Sequence, residues 1–376
     1  SDLGVIMRIL FAGGGTAGHI NPAVAIANYI ADKESSQIAF VGVEEGLEAE
    51  LIPRLGYDLS LIKIHGFERK LNFQNFKNLF ELPKSIHDSK KIIKKFNPDI
   101  VIGTGGYVAG PVLFAAAKLG IPTLIHESNA YPGVTTKILS KYVDTVALGS
   151  KAAEPYIKSA KHIIYSGNPV RPSILSTSEF EARRVLKLDE RPFIVFFGGS
   201  MGAKDFNKTV VDWISDIIKD NKYQIMMGTG KYFQYDDVIN RFENNGIDLK
   251  KYRSVRVSEY IYDMNIVMSA ADLVVCRAGA STLSELTALG KPSILVPSPY
   301  VTANHQEHNA RAIEKEGGAR VILENEFTAE VLNKNIESLV SSKEKLKNMR
   351  RAAKSVGTTA ATEEIYREAK RLLKNN

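Results

Sequence analysis

The sequence predicts an α/β protein with two domains, each built on a parallel sheet covered by helices. Short apolar runs of buried-strand type alternate with segments of helical periodicity along the chain, which is the pattern of parallel strands joined by crossover helices. The pattern also begins twice, at 8–15 and at 193–202, each time with an apolar strand followed by a Gly-rich turn. One architecture therefore occurs twice.

Length and composition agree with two soluble domains. The chain has 376 residues, of which 44% are hydrophobic and 24% charged, and single cores stop growing at roughly 250 to 300 residues. The single cysteine, Cys276, excludes an intrachain disulfide and favours a reducing compartment. The net charge of +7 is compatible with an anionic substrate or an anionic membrane surface.

The sequence contains no signal peptide or transmembrane helix that we recognise. The longest apolar stretch, around 108–117, contains a Gly and a Pro and is too short to span a bilayer. We expect residues 1–6 to be a cloning remnant, with Met7 as the natural start.

The first half opens with a strand, a Gly-rich turn and a helix. Gly13, Gly15 and Gly18 match the dinucleotide fingerprint, and Glu44 or Glu45 falls near the ribose-binding position, so a nicotinamide enzyme is one hypothesis. Any close approach of backbone to a phosphate or a sugar requires glycines for the same steric reason. The strands predicted for this half are 8–12, 38–41, 59–64, 99–102, 123–125, 144–148 and 163–165.

Polar residues follow the strand 123–125 directly, in the run His126-Glu127-Ser128-Asn129. At the carboxyl edge of a parallel sheet such residues are candidates for binding or catalysis. The alternative is a turn in which Glu127 and Asn129 only cap the next helix.

The second half restarts after a polar stretch at 173–190. A second Gly-rich turn, 198–202, follows its first strand, and a helix is predicted around 210–218. The final segment, 343–373, is helical in character and highly charged, and it either packs across the first domain or is solvated. The strands predicted for this half are 193–197, 224–227, 255–257, 272–275, 293–296 and 321–323.

The run 272–311 predicts a binding site. Gly279 separates a buried strand from a helix that Gly290 and Pro292 end, so the helix begins at the carboxyl edge of the sheet, where free N–H groups favour an anion. Glu285 lies three residues after Thr282. Either the two form a capping box, or the Glu285 carboxylate accepts two hydrogen bonds from a ribose diol.

The segment 71–82 combines apolar residues at helical spacing with flanking lysines. Such a helix can lie in the interface of an anionic membrane. The alternative is a core helix with solvated lysines. The residues that define the membrane hypothesis are Phe73, Phe76, Lys77, Leu79, Phe80 and Lys84.

Many motifs, in order and over almost the whole chain, resemble the MurG family of bacterial N-acetylglucosaminyltransferases. Their residues are Gly13-Gly-Gly-Thr16-Ala-Gly18-His19, Asn21-Pro22-Ala23, Gly105-Gly106-Tyr107-Val108-Ala-Gly-Pro111, His126-Glu127-Ser-Asn129, Gly167-Asn168-Pro169-Val170-Arg171, Gly198-Gly199-Ser200, Arg277-Ala-Gly279-Ala280, Ser284-Glu285, His305-Gln306 and Asn309-Ala310-Arg311.

The resemblance implies a GT-B fold, in which two Rossmann-like domains face each other across a cleft. We expect an acceptor and membrane domain at 1–170, a donor domain at 171–350, and a terminal helix at 351–376 that packs back on the first domain. The implied partners are UDP-N-acetylglucosamine, undecaprenyl-diphosphate-linked muramoyl pentapeptide and an anionic membrane surface at the cytoplasmic face of the plasma membrane, with no nucleic acid, cofactor or metal.

The resemblance also implies roles for individual residues. Glu285 contacts the ribose, Ile261 presents its backbone to the uracil, Ser200 and Arg171 meet the diphosphate, and Gln306 meets the sugar hydroxyls. The remaining donor-site residues it implies are Thr16, Ala17, Gly18, Asn129, Ala280, Ser281, Thr282, Leu283 and Ser284. Three positions depart from the family pattern, and they are Ala17, Ser128 and Met201.

In the implied inverting reaction, an acceptor hydroxyl attacks the anomeric carbon as the diphosphate leaves, so a general base is required. His19 is the first candidate because its ordinary pKa is near neutral pH, and Glu127 is the second. The alternative for His19 is a structural hydrogen bond to the Gly-rich turn. The alternative function is a UDP-N-acetylglucosamine epimerase or hydrolase on the same fold.

Overall fold

The computed structural model describes residues 6–64, 73–199, 202–231 and 234–374, with the backbone alone over 73–80. The described strands are β1 Met7–Gly13, β2 Ser36–Val43, β3 Asp58–Ile62, β4 Ile100–Gly105, β5 Thr123–Glu127, β6 Thr145–Leu148, β7 Ile163–Tyr165, β8 Phe193–Phe197, β9 Gln224–Gly228, β10 Val255–Ser258, β11 Leu273–Cys276, β12 Ser293–Leu295 and β13 Ala319–Val321.

Helices follow nearly every strand. The α-helices are α1 Ala17–Lys33, α2 Glu48–Arg54, α3 Phe73–Phe96, α4 Ala109–Lys118, α5 Val134–Leu139, α6 Glu179–Val185, α7 Lys204–Ile217, α8 Gln234–Asn244, α9 Met264–Ala270, α10 Ala280–Leu289, α11 His305–Lys315, α12 Ala329–Val340, α13 Lys343–Val356 and α14 Ala361–Lys374. Short 3-10 turns lie at Lys151–Tyr156, Pro172–Leu175, Ile218–Asp220, Leu249–Lys251, Thr302–Asn304 and Glu324–Glu326.

The chain divides into two compact units. The first contains Ser1–Pro169 and Ala360–Asn376, and the second contains Val170–Thr359. The predicted terminal segment 351–376 therefore holds the end of α13, which belongs to the second unit, and the whole of α14, which belongs to the first.

The first unit is a seven-stranded sheet in the order β3-β2-β1-β4-β5-β6-β7, with parallel pairing throughout. Its strands are continuous apolar runs because helices cover both faces of the sheet. One face packs on α1, α2 and α14, and the other packs on α3, α4 and α5. Strand order reverses at β1 and β4, which places the loops after these strands at the topological switch point.

The second unit is a six-stranded parallel sheet in the order β10-β9-β8-β11-β12-β13. All five residues of β8 are buried, as its apolar run predicts for a central strand. Trp213 on α7 packs against Phe196 and Tyr223 and donates through Nε1 to Asn333 over 3.0 Å. The switch point of this sheet lies between β8 and β11.

The α/β prediction with two parallel sheets is confirmed, and one of the predicted strands lies elsewhere. Strand β13 lies two residues earlier than the predicted 321–323, because the chain turns at Glu324, which pairs with the guanidinium of Arg277. The segment 343–373 is helical as predicted and forms two helices, α13 and α14. Helix α13 ends at its C-cap Gly357, whose backbone lies so close to Thr287 that an added Cβ would be 2.4 Å from it.

Candidate functional site

The switch point of the second unit presents the amino end of a helix. Helix α10 begins at Ala280, with three residues between it and the end of β11, and its N-cap is Gly279. An added Cβ on Gly279 would meet no atom within 4 Å, so the approach to this helix start is open within the unit. The first N–H groups of a helix have no acceptor inside it, and they favour an anionic group.

Glu285, one and a half turns into α10, is held by an arginine from another part of the unit. Arg171 donates through Nε to Oε1 over 2.6 Å and through a terminal nitrogen to Oε2 over 2.9 Å. The carboxylate side chain is 11% exposed, whereas the guanidinium side chain is 57% exposed. The hydrogen bonds that Arg171 donates to Glu285 raise the pKa of the guanidinium, burial opposes this effect, and the charge of the carboxylate adds to it.

The capping-box interpretation of Thr282 and Glu285 is wrong. A capping box requires Thr282 at the N-cap, but the helix begins at Ala280 and Thr282 lies inside its first turn. The Glu285 oxygens bond to Arg171 instead. Within the same stretch Ser281 is exposed, Ser284 donates back to the Ala280 carbonyl oxygen over 2.8 Å, and Leu283 is 4% exposed in the core. A contact between Leu283 and a ligand would therefore involve its backbone.

Gln306 ties together two loops that lie beside α10. Its Oε1 accepts from the backbone N–H groups of Ala278 over 3.2 Å and of Ser298 over 2.9 Å. These two bonds orient the side-chain amide and use its oxygen, so its nitrogen is the group that can donate to a hydroxyl. Ile261 follows β10 and is 7% exposed, with its side chain packed against Gly228.

In the first unit, His19 lies in the first turn of α1 against the two Gly-rich loops. Its Nδ1 is 3.2 Å from the carbonyl oxygen of Gly14 and 3.2 Å from the hydroxyl of Thr16. The ring packs on Gly105, where an added Cβ would lie 2.6 Å from Cδ2. The Gly14 carbonyl oxygen can only accept, so its contact favours the neutral ring with the proton on Nδ1 and the lone pair on Nε2. This is the tautomer that a base acting through Nε2 requires.

A residue that the sequence analysis missed, Glu48, lies beneath the first Gly-rich turn. Its side chain is buried, and its carboxylate accepts from Gly15 N–H and from Val43 N–H, both over 2.9 Å. A phosphate at this turn would meet that negative charge, which disfavours the dinucleotide interpretation of the turn. Glu44 and Glu45, which the fingerprint singled out, are exposed in the loop before α2. The sequence signal for Glu48 was that it follows Gly42 and Gly46, two glycines that leave room for its side chain.

Glu127, at the end of β5, organises the loop that follows it. One carboxylate oxygen accepts from the Asn129 backbone N–H over 3.0 Å and from its side chain over 3.4 Å, and the other accepts from Gly133 N–H over 3.1 Å. The bond from Gly133, the N-cap of α5, ties Glu127 to the start of the next helix, whereas the bonds from Asn129 lie within the turn. Both Glu127 and Asn129 still lie at the carboxyl edge of the sheet.

Hydrogen bonds join His126 and the loop that follows it to the loop after β7. The buried ring of His126 bonds through Nε2 to the Gly167 carbonyl oxygen over 3.0 Å, and Asn168 donates to the Ser128 carbonyl oxygen over 3.0 Å. Burial lowers the pKa of His126, against smaller raising effects of the Gly167 carbonyl and Glu127. The ring is therefore neutral and holds the loop in place.

The other predicted site residues lie as follows. Thr16 is the N-cap of α1, and Ala17 and Gly18 are its first, exposed residues. Ser200 lies outside the described residues. Phe73, Phe76, Lys77, Leu79 and Phe80 belong to α3, although the structure does not describe their side chains, and Lys84 is exposed on the same helix.

The described residues contain no group of three or more His, Cys, Asp or Glu side chains arranged to hold a metal ion. None of their helices is both long and apolar enough to cross a membrane.

Both units match models of one glycosyltransferase family. Residues 9–148 match the model described as the glycosyltransferase family 28 N-terminal domain, and residues 193–366 match the model described as the glycosyltransferase family 28 C-terminal domain.

A relative from Acetivibrio thermocellus is 49% identical over 98% of this chain and 99% of its own length. Its name is UDP-N-acetylglucosamine–N-acetylmuramyl-(pentapeptide) pyrophosphoryl-undecaprenol N-acetylglucosamine transferase. The crystal structure of Acinetobacter baumannii MurG aligns with a TM-score of 0.80 and 27% identity, covering 97% of this chain and 99% of that one.

A structure of a putative UDP-N-acetylglucosamine 2-epimerase from Listeria monocytogenes aligns with a TM-score of 0.69 over 99% of this chain and 98% of its own. Its identity to this chain is 15%, so this likeness concerns the fold alone.

Proposed function

The chain belongs to the MurG family of N-acetylglucosaminyltransferases within glycosyltransferase family 28, and on this premise we propose that it transfers N-acetylglucosamine from UDP-N-acetylglucosamine to N-acetylmuramyl-(pentapeptide) pyrophosphoryl-undecaprenol. The reaction converts lipid I to lipid II in peptidoglycan synthesis. The observation that carries the proposal is the 49% identity over nearly the full length of both chains. The epimerase alternative has only a likeness of fold in its favour.

We propose that the second unit binds the donor. The carboxylate of Glu285 has lone pairs beyond the two that Arg171 occupies, so a ribose diol can donate two hydrogen bonds to it. The amide groups at the start of α10 suit the diphosphate, because their partial positive charge stabilises the negative charge that grows on the leaving UDP. The side-chain nitrogen of Gln306 suits a sugar hydroxyl.

The proposed reaction is a single displacement. The acceptor hydroxyl oxygen attacks the anomeric carbon and forms the new glycosidic bond, while the bond from that carbon to the diphosphate oxygen breaks. UDP leaves with the bonding electron pair, and the hydroxyl proton passes to a base. Attack from the side opposite the leaving group inverts the anomeric configuration.

His19 is the base that the contacts favour. Its Nδ1 contact with Gly14 favours a lone pair on Nε2, and the residue lies at the start of α1, beside the switch point of the first sheet. Glu127 is the weaker candidate because its two carboxylate oxygens already accept three hydrogen bonds from its own loop.

We also propose that α3 contacts an anionic membrane surface. Ser85, Ser89 and Ile93, spaced four residues apart, are buried against the unit, and Ile86, Ile92 and Phe96 pack beside them on the same core, so the opposite surface of the helix faces outward. The exposed lysines of the described part of that surface are Lys84, Lys91, Lys94 and Lys95. Their charge suits anionic headgroups.

The first experiment measures turnover of radiolabelled UDP-N-acetylglucosamine with and without a short-chain analogue of the lipid-linked muramoyl pentapeptide. Label transferred to the analogue, with no UDP released in its absence, supports the transferase. Epimerised sugar or free UDP formed without the analogue would move the chain to the epimerase or hydrolase class.

A further inference from the structure

One peptide group, between Gly14 and Gly15, contacts two ionisable side chains at once. Its N–H belongs to Gly15 and donates to Oε2 of Glu48 over 2.9 Å. Its carbonyl oxygen belongs to Gly14 and lies 3.2 Å from Nδ1 of His19. We infer that Glu48 acts through this peptide group as a positioning residue that holds His19 in the form a general base requires. The inference rests on the proposed function.

The backbone is built around the Glu48 carboxylate. An added Cβ would lie 2.0 Å from its Oε1 at Gly14, 2.3 Å from its Cγ at Gly42 and 2.2 Å from its Oε2 at Gly46. Any side chain at these three positions would displace the carboxylate. Together with the bond from Val43 N–H to Oε1, this packing fixes the direction in which Oε2 points.

The fixed carboxylate orients the peptide group, because a planar peptide points its C=O opposite to its N–H. With Gly15 N–H aimed at Glu48, the Gly14 carbonyl oxygen is aimed at the ring of His19. That oxygen selects the tautomer with the proton on Nδ1. Glu48 thus acts on His19 across one peptide group, without touching it.

The same arrangement stabilises the charged ring. When Nε2 takes the proton of the acceptor hydroxyl, the imidazole becomes a cation whose Nδ1–H bond to the carbonyl strengthens. A carboxylate on the far side of the peptide polarises it and increases the negative charge on that oxygen, since hydrogen bonds in a chain reinforce each other. Removing the charge of Glu48 should therefore lower the basicity of His19.

Other titratable groups lie in the segments packed around Glu48, the Gly14–Gly15 peptide group and His19. They are Glu44 and Glu45, exposed in the loop before α2, and Tyr107, which is 52% exposed in the loop after β4. They remain unchanged in the variants below, so differences between variants isolate Glu48.

The test compares Glu48→Gln, His19→Ala and the double variant in the full-length enzyme. Glutamine keeps the size of the side chain but has one acceptor oxygen for two N–H groups. We expect Glu48→Gln to lower kcat roughly tenfold to a hundredfold, part of the roughly 10²- to 10⁴-fold that a general base contributes. The donor KM should change less than about twofold, as expected for a group that acts in the transition state.

Two further results are expected. The double variant should be no slower than His19→Ala, because Glu48 acts only through His19. The acidic limb of the kcat/KM profile of Glu48→Gln should move to lower pH. The matched control is Glu368→Gln, a carboxylate equally buried in the same unit and bonded to Thr145 and Arg371, which should keep the wild-type kcat and pH profile.

Equal losses from Glu48→Gln in the wild-type and His19→Ala backgrounds, with an unmoved acidic limb, would show that Glu48 is only structural. Wild-type kcat in His19→Ala would instead overturn the base itself, and the role of Glu48 with it. If Glu48→Gln does not fold, nitrogen NMR of histidine-labelled wild-type enzyme decides, with His19→Ala identifying one of the seven histidines. A proton on Nδ1 supports the inference, and a proton on Nε2 overturns it.

Discussion

Arg171 and Glu285 form a two-point ion pair between residues that are 114 positions apart, over 2.6 and 2.9 Å. The pair fixes both carboxylate oxygens at the start of α10. A carboxylate held in this way is preorganised to accept the two hydroxyls of a ribose, because little rotamer freedom remains to be lost on binding.

The first prediction concerns the ribose. Replacing UDP by 2′-deoxy-UDP should weaken binding roughly tenfold or more, because a hydrogen bond to a charged group contributes about 1.5 to 3 kcal/mol. Calorimetric titration of both nucleotides measures the difference. In Glu285→Gln the ratio of the two dissociation constants should fall toward one, and an unchanged ratio would remove Glu285 from the ribose site.

The second prediction concerns Arg171, for which the family resemblance implies a contact with the diphosphate. The ion pair instead predicts that Arg171 acts on the ribose through Glu285. Arg171→Ala should then weaken the binding of uridine and of UDP by the same factor, roughly tenfold. In a Glu285→Gln background, Arg171→Ala should weaken their binding little further. A loss for UDP with no loss for uridine would place the guanidinium on the diphosphate.

The third prediction concerns Lys291, which follows the end of α10. Its ammonium donates to the carbonyl oxygens of Ser269 over 2.7 Å and Ala271 over 3.0 Å and lies 3.5 Å from Glu179. Burial lowers its pKa to about 8, an effect that Glu179 opposes and Arg350 adds to. Between this value and the unfolded pKa of about 10.4, the unfolded chain binds more protons, so stability should rise with pH.

Urea unfolding at pH 7.5 and pH 10, followed through the single Trp213, checks this prediction. Comparison with Lys291→Met cancels the other titrating groups. The free energy of unfolding of the wild type relative to this variant should rise by up to about 3 kcal/mol between the two pH values, at about 1.4 kcal/mol per pKa unit. Parallel changes in both proteins would contradict it.

The fourth prediction concerns α3. Charge reversal at Lys84, Lys91 and Lys94 should abolish sedimentation with vesicles rich in anionic lipid, because each lysine near such a surface contributes about 1 kcal/mol. The matched control reverses Lys343, Lys345 and Lys347, which are exposed on α13 of the second unit. Equal loss in both variants would indicate a general effect of net charge and contradict a specific role for α3.

Several parts of the fold were predictable because their signals are local. Strand β8 is an apolar run buried along its whole length, and Gly290 ends α10 in the left-handed conformation that favours glycine. The start of β13 was missed because Arg320 interrupts its apolar pattern. The close approach of Gly357 to the backbone of Thr287 has no such local signal, because Thr287 lies in a distant segment.

The candidate site shows the same difference between what local sequence signals predict and what contacts with distant segments decide. The sequence directed attention to Glu44 and Glu45, and the carboxylate that reaches the Gly-rich turn is Glu48 at the start of α2. It also allowed Thr282 as the partner of Glu285, whereas the partner is Arg171. In the first case the sequence suggested the correct residue type at the wrong position. In the second case it suggested the correct carboxylate with the wrong partner.

The sequence by itself determined the family, the two-sheet α/β architecture, the order of the strands along the chain and the residue types at the loop ends. The reason is that periodicity and glycine signals act over a few neighbouring residues. Only the tertiary structure decided which carboxylate lies under the Gly-rich turn, which carbonyl oxygen faces the ring of His19 and which cation holds Glu285. Those outcomes depend on hydrogen bonds between segments that are distant in the chain, and folding alone brings their donors and acceptors together.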